Sequence, residues 1–162
     1  CKYPQMRRDR TCHIEAIQIH IVYNNYRDYA PNGLLYVPKK DTERIKRETL
    51  RRFEMDISQP YKEVRPLVIR NNSGDTAKSW FRNFLDRRLS IHVRELSYVI
   101  NTSEGASVGY NNDSTTGGEI WYADIERVFL LHDVADQRRT EEATNIHGLF
   151  GAIIVEALGI EW

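Results

Sequence analysis

Two histidines of this sequence occupy places where a strand would present a metal ligand. In "LSIHVREL" (89–96), alternation sends Leu89, Ile91 and Val93 one way and Ser90, His92 and Arg94 the other. In "RVFLLHDV" (127–134), Val128, Leu130, His132 and Val134 share a face opposite Phe129, Leu131 and Asp133. If the two strands are neighbours in a sandwich, His92 and His132 come within reach of one ion. Imidazole suits copper, zinc and nickel. Ligation needs the neutral ring, so binding would weaken below about pH 6. Two imidazoles do not fill a coordination shell. The plain alternative therefore stands beside the metal reading: each is a satisfied or solvent-facing histidine. The remaining histidines are His13, His20 and His147.

The segments around these strands read mostly as further strands. "TCHIEAIQIHIV" (11–22) alternates, and its inward phase shifts between Ala16 and Ile17, which predicts a β-bulge there. "NNYRDYAPNG" is rich in turn residues. Within "DTERIKRETLRRFEMD" (41–56), Ile45, Thr49, Arg52 and Phe53 recur at helical spacing and Asp41 can cap, which predicts an inserted helix with one thin apolar stripe. "RPLVIR" (65–70), "TAKSWFRNFL" (76–85), "EIWYAD" (119–124) and "GLFGAIIVE" (148–156) read as strands. "NSGD" (72–75) is a turn with Gly74 suited to positive φ, and 101–118 reads as one long loop. Short strands separated by turn signals indicate an all-β sandwich or barrel.

Length and composition set bounds. The chain has 162 residues, the size of one domain, with 23 basic and 23 acidic residues. Zero net charge supplies no field to gather nucleic acid or anionic lipid, so no nucleic-acid partner is expected. Arg7, Arg8 and Arg10, and the segment from Arg44 to Arg52, read as solvated surface. No apolar run reaches the roughly 18 residues of a membrane helix, and the first residues lack a signal-peptide core. Cys1 and Cys12 can pair or stay free. "NNS" (71–73), "NTS" (101–103) and "NDS" (112–114) match the N-glycosylation triplet and fall in turns or loops. Asp133, Asp136, Glu141 and Glu142 read as a solvated acidic loop, with attraction of a cation such as Mn²⁺ or Fe²⁺ the sharper option.

The stretch "VIRNNSGDTAKSWFRNFLDRRLSIHVRELSY", the later "VFLLHD" and the closing "HGLFGAIIVE" resemble a cupredoxin domain of the multicopper oxidase family. The likeness is closest to ceruloplasmin and to bacterial manganese-oxidising relatives. It runs from about Val64 to Glu156 and is weaker in "AIQIHIVYNNYRDYAPNG". The resemblance implies a single Greek-key β-sandwich of cupredoxin type. It also implies a parental activity, oxidation of a substrate coupled to reduction of dioxygen at copper. Such oxidases place a trinuclear cluster between two cupredoxin domains, each supplying His-x-His pairs. Here the pairs resemble His92–Val93–Arg94 and His132–Asp133–Val134. Each keeps its leading histidine and lacks its trailing one, and Glu95 replaces the glycine that usually follows.

Arginine has no lone pair to give, so Arg94 cannot ligate and would repel a metal ion. A blue copper site needs a cysteine thiolate, which the family places late in the chain, whereas both cysteines here are early. The candidate metal residues are His92, His132 and His147, the last either a peripheral ligand or a loop residue. On one reading the chain is part of a copper-dependent oxidoreductase. It would be inactive alone and completed by another cupredoxin domain or subunit of the same oxidase, or by a further copy in a homo-oligomer. The end at "ALGIEW" fits a piece of a longer polypeptide, and the resemblance leans toward an extracellular or cell-surface setting. On the other reading it is a copper-free structural or interaction domain with degenerate ligand pairs. A small type 2 copper module is the weaker third.

Overall fold

The structure, a computed structural model, describes residues 8–97, 106–108, 114–136 and 143–161, with backbone alone for 106–108 and 114–119. Its strands are β1 (Asp9–Val22), β2 (Tyr29–Pro38), β3 (Leu67–Asn72), β4 (Thr76–Asn83), β5 (Leu89–Val93), β6 (Ala106–Val108), β7 (Ser114–Tyr122), β8 (Arg127–Asp133) and β9 (Phe150–Glu156). One helix, α1 (Thr42–Glu54), follows a 3-10 turn at Lys39–Asp41. The strands form two sheets, ordered β2-β1-β4-β7 and β3-β9-β8-β5-β6. Pairs β1/β4 and β3/β9 are parallel and the others antiparallel.

Between the sheets lies one apolar core, because each strand sends alternate residues inward. The four-stranded sheet contributes Ile14, Leu34, Tyr36, Phe81 and Trp121. The other contributes Ile69, Ile91, Leu131 and Ile153, among others. Tyr36, Phe81 and Trp121 meet edge to face at 6.3 Å per pair. Burying one such side chain stabilises by about 1.5–3 kcal/mol.

A second core lies outside the four-stranded sheet. Ile17, Ile19 and Ile21 of β1 and Leu35 and Val37 of β2 pack with Ile45 of α1. This explains the phase change in "TCHIEAIQIHIV" without a bulge at Ala16. Up to Ala16 the strand buries its inner face; from Ile17 its buried residues are Ile17, Ile19 and Ile21 beneath the helix, while Gln18 is exposed. Pairing with β2 runs unbroken from Ile14 to Ile19, and the register irregularity lies between Ile19 and Ile21.

The helix forms close to its expected bounds. Asp41 stands at the cap but makes no side-chain capping bond; its carboxylate takes Arg44 Nη2 at 2.8 Å instead. Arg51 and Arg52 clasp Glu48 at 2.7 and 2.9 Å and pull its carboxyl down to about 2. At the far end Phe53 stacks flat on His20, ring centres 4.1 Å apart.

Gly74 has φ +92° in the turn joining β3 to β4, as its place in "NSGD" predicts. Two expectations fail. Strand β2 begins inside the turn-rich "NNYRDYAPNG", because Asn24 Oδ1 closes the turn early by accepting the N–H groups of Tyr26 and Asp28. Within 101–118, β6 and the start of β7 are strands; polar residues can pair at the edge of a sheet, where burial is not demanded.

Candidate metal centre

Strand β5 joins β8 antiparallel, and the register sets His92 directly opposite His132. Bonds on either side frame the pair: Arg94 N–H donates to Leu130 C=O at 3.0 Å and Val134 N–H to Ser90 C=O at 2.8 Å. Buried Asp133 fixes this pairing from the opposite face. It accepts Ser90 N–H at 2.9 Å, Ala135 N–H at 3.0 Å and Thr144 Oγ1–H at 3.2 Å. The acidic-loop reading is thus corrected for Asp133, which is inside the molecule and committed to two backbone N–H groups and the Thr144 hydroxyl. Asp136 takes Thr144 N–H at 3.2 Å, and Glu141 and Glu142 lie outside the described residues.

The imidazole rings stand 5.7 Å apart, centre to centre, at 73°. With a nitrogen-to-metal distance of about 2 Å, two imidazoles on one ion hold their centres roughly 5–6 Å apart. His92 Nδ1 and His132 Nε2 are both buried and have no hydrogen-bond partner. Orphaned ring nitrogens are costly unless something takes their lone pairs or protons. Burial lowers the pKa of His132, and nearby His92 and Arg94 lower it further, against the opposing pull of Asp133. The neutral, ligating form is favoured at that ring.

Two donors fit part of a coordination shell and no more. Among the described residues no group of three His, Cys, Asp or Glu could hold a metal ion. His147 is not brought to the pair. Its loop is pinned to β2, with Leu34 N–H donating to His147 C=O at 2.7 Å. Gly148 (φ +104°) follows so close that a Cβ would meet Leu34 O at 2.7 Å. Arg94 sits just past the end of β5 with its side chain 71% exposed, near Glu95 Oε1 at 3.6 Å. Glu95 itself has φ +64°, the left-handed conformation that explains why a glycine suits this position.

The histidines belong to an apolar face that the sequence reading did not single out. On the outside of the five-stranded sheet, Phe150, His132 and His92 form one row. Val68, Ala152 and Leu130 form the next. Val68, Val128, Leu130 and Phe150 are exposed at 37–61%. The signal was present in "RVFLLHDV" and "GLFGAIIVE", which are apolar on both faces and so leave no solvent side. Of the glycosylation triplets, Asn71 is fully buried in β3 and cannot be an acceptor; Asn101 and Asn112 lie outside the described residues. Cys1 also lies outside them, and Cys12 is half-buried.

No family model matches the chain, and no curated protein matches it. Solved structures do. Copper nitrite reductase from Nitrosomonas europaea matches with TM-score 0.61 at 15% identity, over 94% of this chain and 43% of that one. A multi-copper oxidase from Pseudomonas thermotolerans matches with TM-score 0.58 at 12% identity, over 94% and 30%. Fet3p, a multicopper oxidase that functions in iron import, matches with TM-score 0.59 at 10% identity, over 95% and 24%. The chain spans less than half of each. Among the described residues its two sheets and one inserted α-helix define an all-β, Greek-key sandwich. More narrowly, the fold is that of a cupredoxin-like domain. Among the described residues no helix is long and apolar enough to cross a membrane.

Proposed function

We propose that this domain supplies half of a copper site, with His92 and His132 as its ligands. A second cupredoxin domain or subunit seated on the outer face of the five-stranded sheet supplies the rest. The observation that carries this is the cross-strand pair: two half-buried imidazoles in one register position, each with an orphaned nitrogen. The surrounding apolar face supports it, since a body covering Val128, Leu130 and Phe150 would also close the coordination shell. When bound, copper would supply one-electron oxidation and reduction, and the assembled oxidase would couple substrate oxidation to dioxygen reduction. The chain's own contribution is to hold two imidazoles at fixed spacing through the Asp133 clamp. Alone it is inactive in that reaction.

A copper-free scaffold is the second reading, favoured by Arg94, whose positive charge stands beside His132. Titration with Cu²⁺, followed by calorimetry and electron paramagnetic resonance, separates the two. One nitrogen-ligated copper per chain is expected, lost in His92→Ala and in His132→Ala but kept in His147→Ala. Arg94→His should tighten binding about tenfold by exchanging a repelling cation for a donor. No binding by the parent, or binding that survives both alanine variants, overturns the copper reading and leaves the scaffold.

A further inference from the structure

Helix α1 satisfies one of its flanks within the chain and leaves the other open. Thr42, Ile45 and Thr49 face the sheet and are buried. On one side of them Arg44 takes Asp41 and Glu63, and Arg51 and Arg52 take Glu48. On the other side helical spacing places Lys46, Arg47, Leu50, Phe53 and Glu54. Leu50 is 50% and Phe53 48% exposed, so two large apolar side chains stand open on a rigid element. The apolar area continues onto exposed Tyr29, whose ring lies 6.4 Å from that of Phe53. Among the described residues neither Arg47 nor Glu54 makes an ion pair, and both are exposed. Lys46 is half-buried and lies over the Phe84 ring at 4.5 Å, which holds its ammonium on this flank.

The order of these residues is self-complementary. A helix nearly repeats its faces every seven residues, so Arg47 and Glu54 lie on one side of Leu50, and Lys46 and Phe53 on the other. When two identical helices pack antiparallel about a twofold axis, a residue meets its seven-residue mate on the copy. With the axis at Leu50, Leu50 meets Leu50, Arg47 meets the copy's Glu54 and Lys46 meets the copy's Phe53. The last two contacts occur twice. One is an ion pair and the other sets a cation at an aromatic ring. A parallel pair would set Arg47 beside the copy's Lys46, cation against cation, so the charges select the antiparallel arrangement.

We infer that this flank of α1 is a self-association surface whose partner is a second copy of this chain, packed with the two helices antiparallel. Burial of Leu50 and Phe53 drives the association, and the Arg47–Glu54 pairs fix its direction. The chain has zero net charge, so no overall repulsion opposes the approach of two copies. The surface lies over the four-stranded sheet, on the far side of the molecule from His92 and His132, and leaves their face open.

Sedimentation equilibrium of the full chain tests this, carried up to about millimolar concentration because a single helix pair makes a small interface. A monomer–dimer equilibrium is expected. Arg47→Glu and Glu54→Arg each bring like charges together twice and should weaken it at least about tenfold, and the two combined should restore it to within about threefold of the parent. Leu50→Asp should abolish it. All three residues are exposed, and the melting temperature of each variant checks that it folds. Leu130→Asp and His92→Ala/His132→Ala, on the opposite face, should dimerise like the parent, which keeps this test separate from that of the copper site. A monomer at every concentration, a dimer that survives Leu50→Asp, no recovery in the double charge reversal, or a dimer lost in Leu130→Asp overturns the inference.

Discussion

The two outer faces of this sandwich are built from similar residues and treated differently. On the four-stranded sheet Ile17, Ile19, Ile21, Leu35 and Val37 are covered by α1, and none is more than 9% exposed. On the five-stranded sheet Val68, Val128, Leu130 and Phe150 stay open, and only there do two imidazoles face outward side by side. The first face is finished within the chain. The second resembles a core cut in half, as expected of a surface that another body covers. The placement of the histidine pair on the unfinished face is what makes a shared site the economical reading.

The largest effect should come from uncovering the finished face. Ile45→Ala leaves a cavity beneath the helix and should cost about 2–4 kcal/mol in urea denaturation. Leu130→Ala removes similar carbon from the open face and should cost under about 0.5 kcal/mol at low protein concentration. Equal losses would mean that the open face is already packed within the free chain, and the contrast between the two faces would go.

Sequence pattern carried the sandwich and the helix, because each rests on local periodicity; it gave the facing of His92 and His132 on their own strands, while their register across β5 and β8 is set by the fold. The helix stripe is the three-to-four spacing of Ile45, Thr49, Arg52 and Phe53, and the strands are alternations bounded by turns such as "NSGD". Other features depend on what lies above a face, and no local pattern records that. The change at Ala16–Ile17 looked like a bulge because a second core beneath α1 cannot be told from a shifted register. Asp133 looked like solvated acid because its three hydrogen-bond donors come from Ser90, Ala135 and Thr144, two of them far along the chain. His147 stayed a candidate because its distance from the pair is set by the contact of its loop with Leu34, which only the fold creates.

The clasp joining the two sheets should give the next largest effect. Asp75, with its side chain 5% exposed, takes Arg10 Nε–H at 3.0 Å, Asn72 N–H at 3.1 Å and Arg8 N–H at 3.2 Å. Burial alone would raise its pKa; the Arg10 bond, then the two backbone donors, outweigh that and leave it lowered. A depressed carboxyl stabilises the fold above the unfolded value, about 3.9, and that contribution disappears as pH falls through the folded value. Asp75→Asn should therefore cost about 2 kcal/mol at pH 7, with the gap from the parent narrowing as pH falls below the unfolded carboxyl value. Denaturation curves across that range check it. A gap independent of pH would show that Asp75 acts by shape alone, and the electrostatic part of the clasp would be dropped.

The smallest effect sharpens the open face at the end of β5. Glu95 holds φ +64° and reaches Arg127 Nη1 at 2.9 Å. Both groups are more than half exposed, so the ion pair contributes little, about 0–1 kcal/mol. Left-handed backbone costs a residue with a Cβ about 1 kcal/mol, a cost glycine escapes. Glu95→Ala loses the ion pair and keeps the strain, whereas Glu95→Gly loses the ion pair and relieves it. The glycine variant should therefore be the more stable of the two by up to about 1 kcal/mol, after allowing for the greater freedom of glycine in the unfolded chain. Were alanine equal or better, the backbone here would be unstrained.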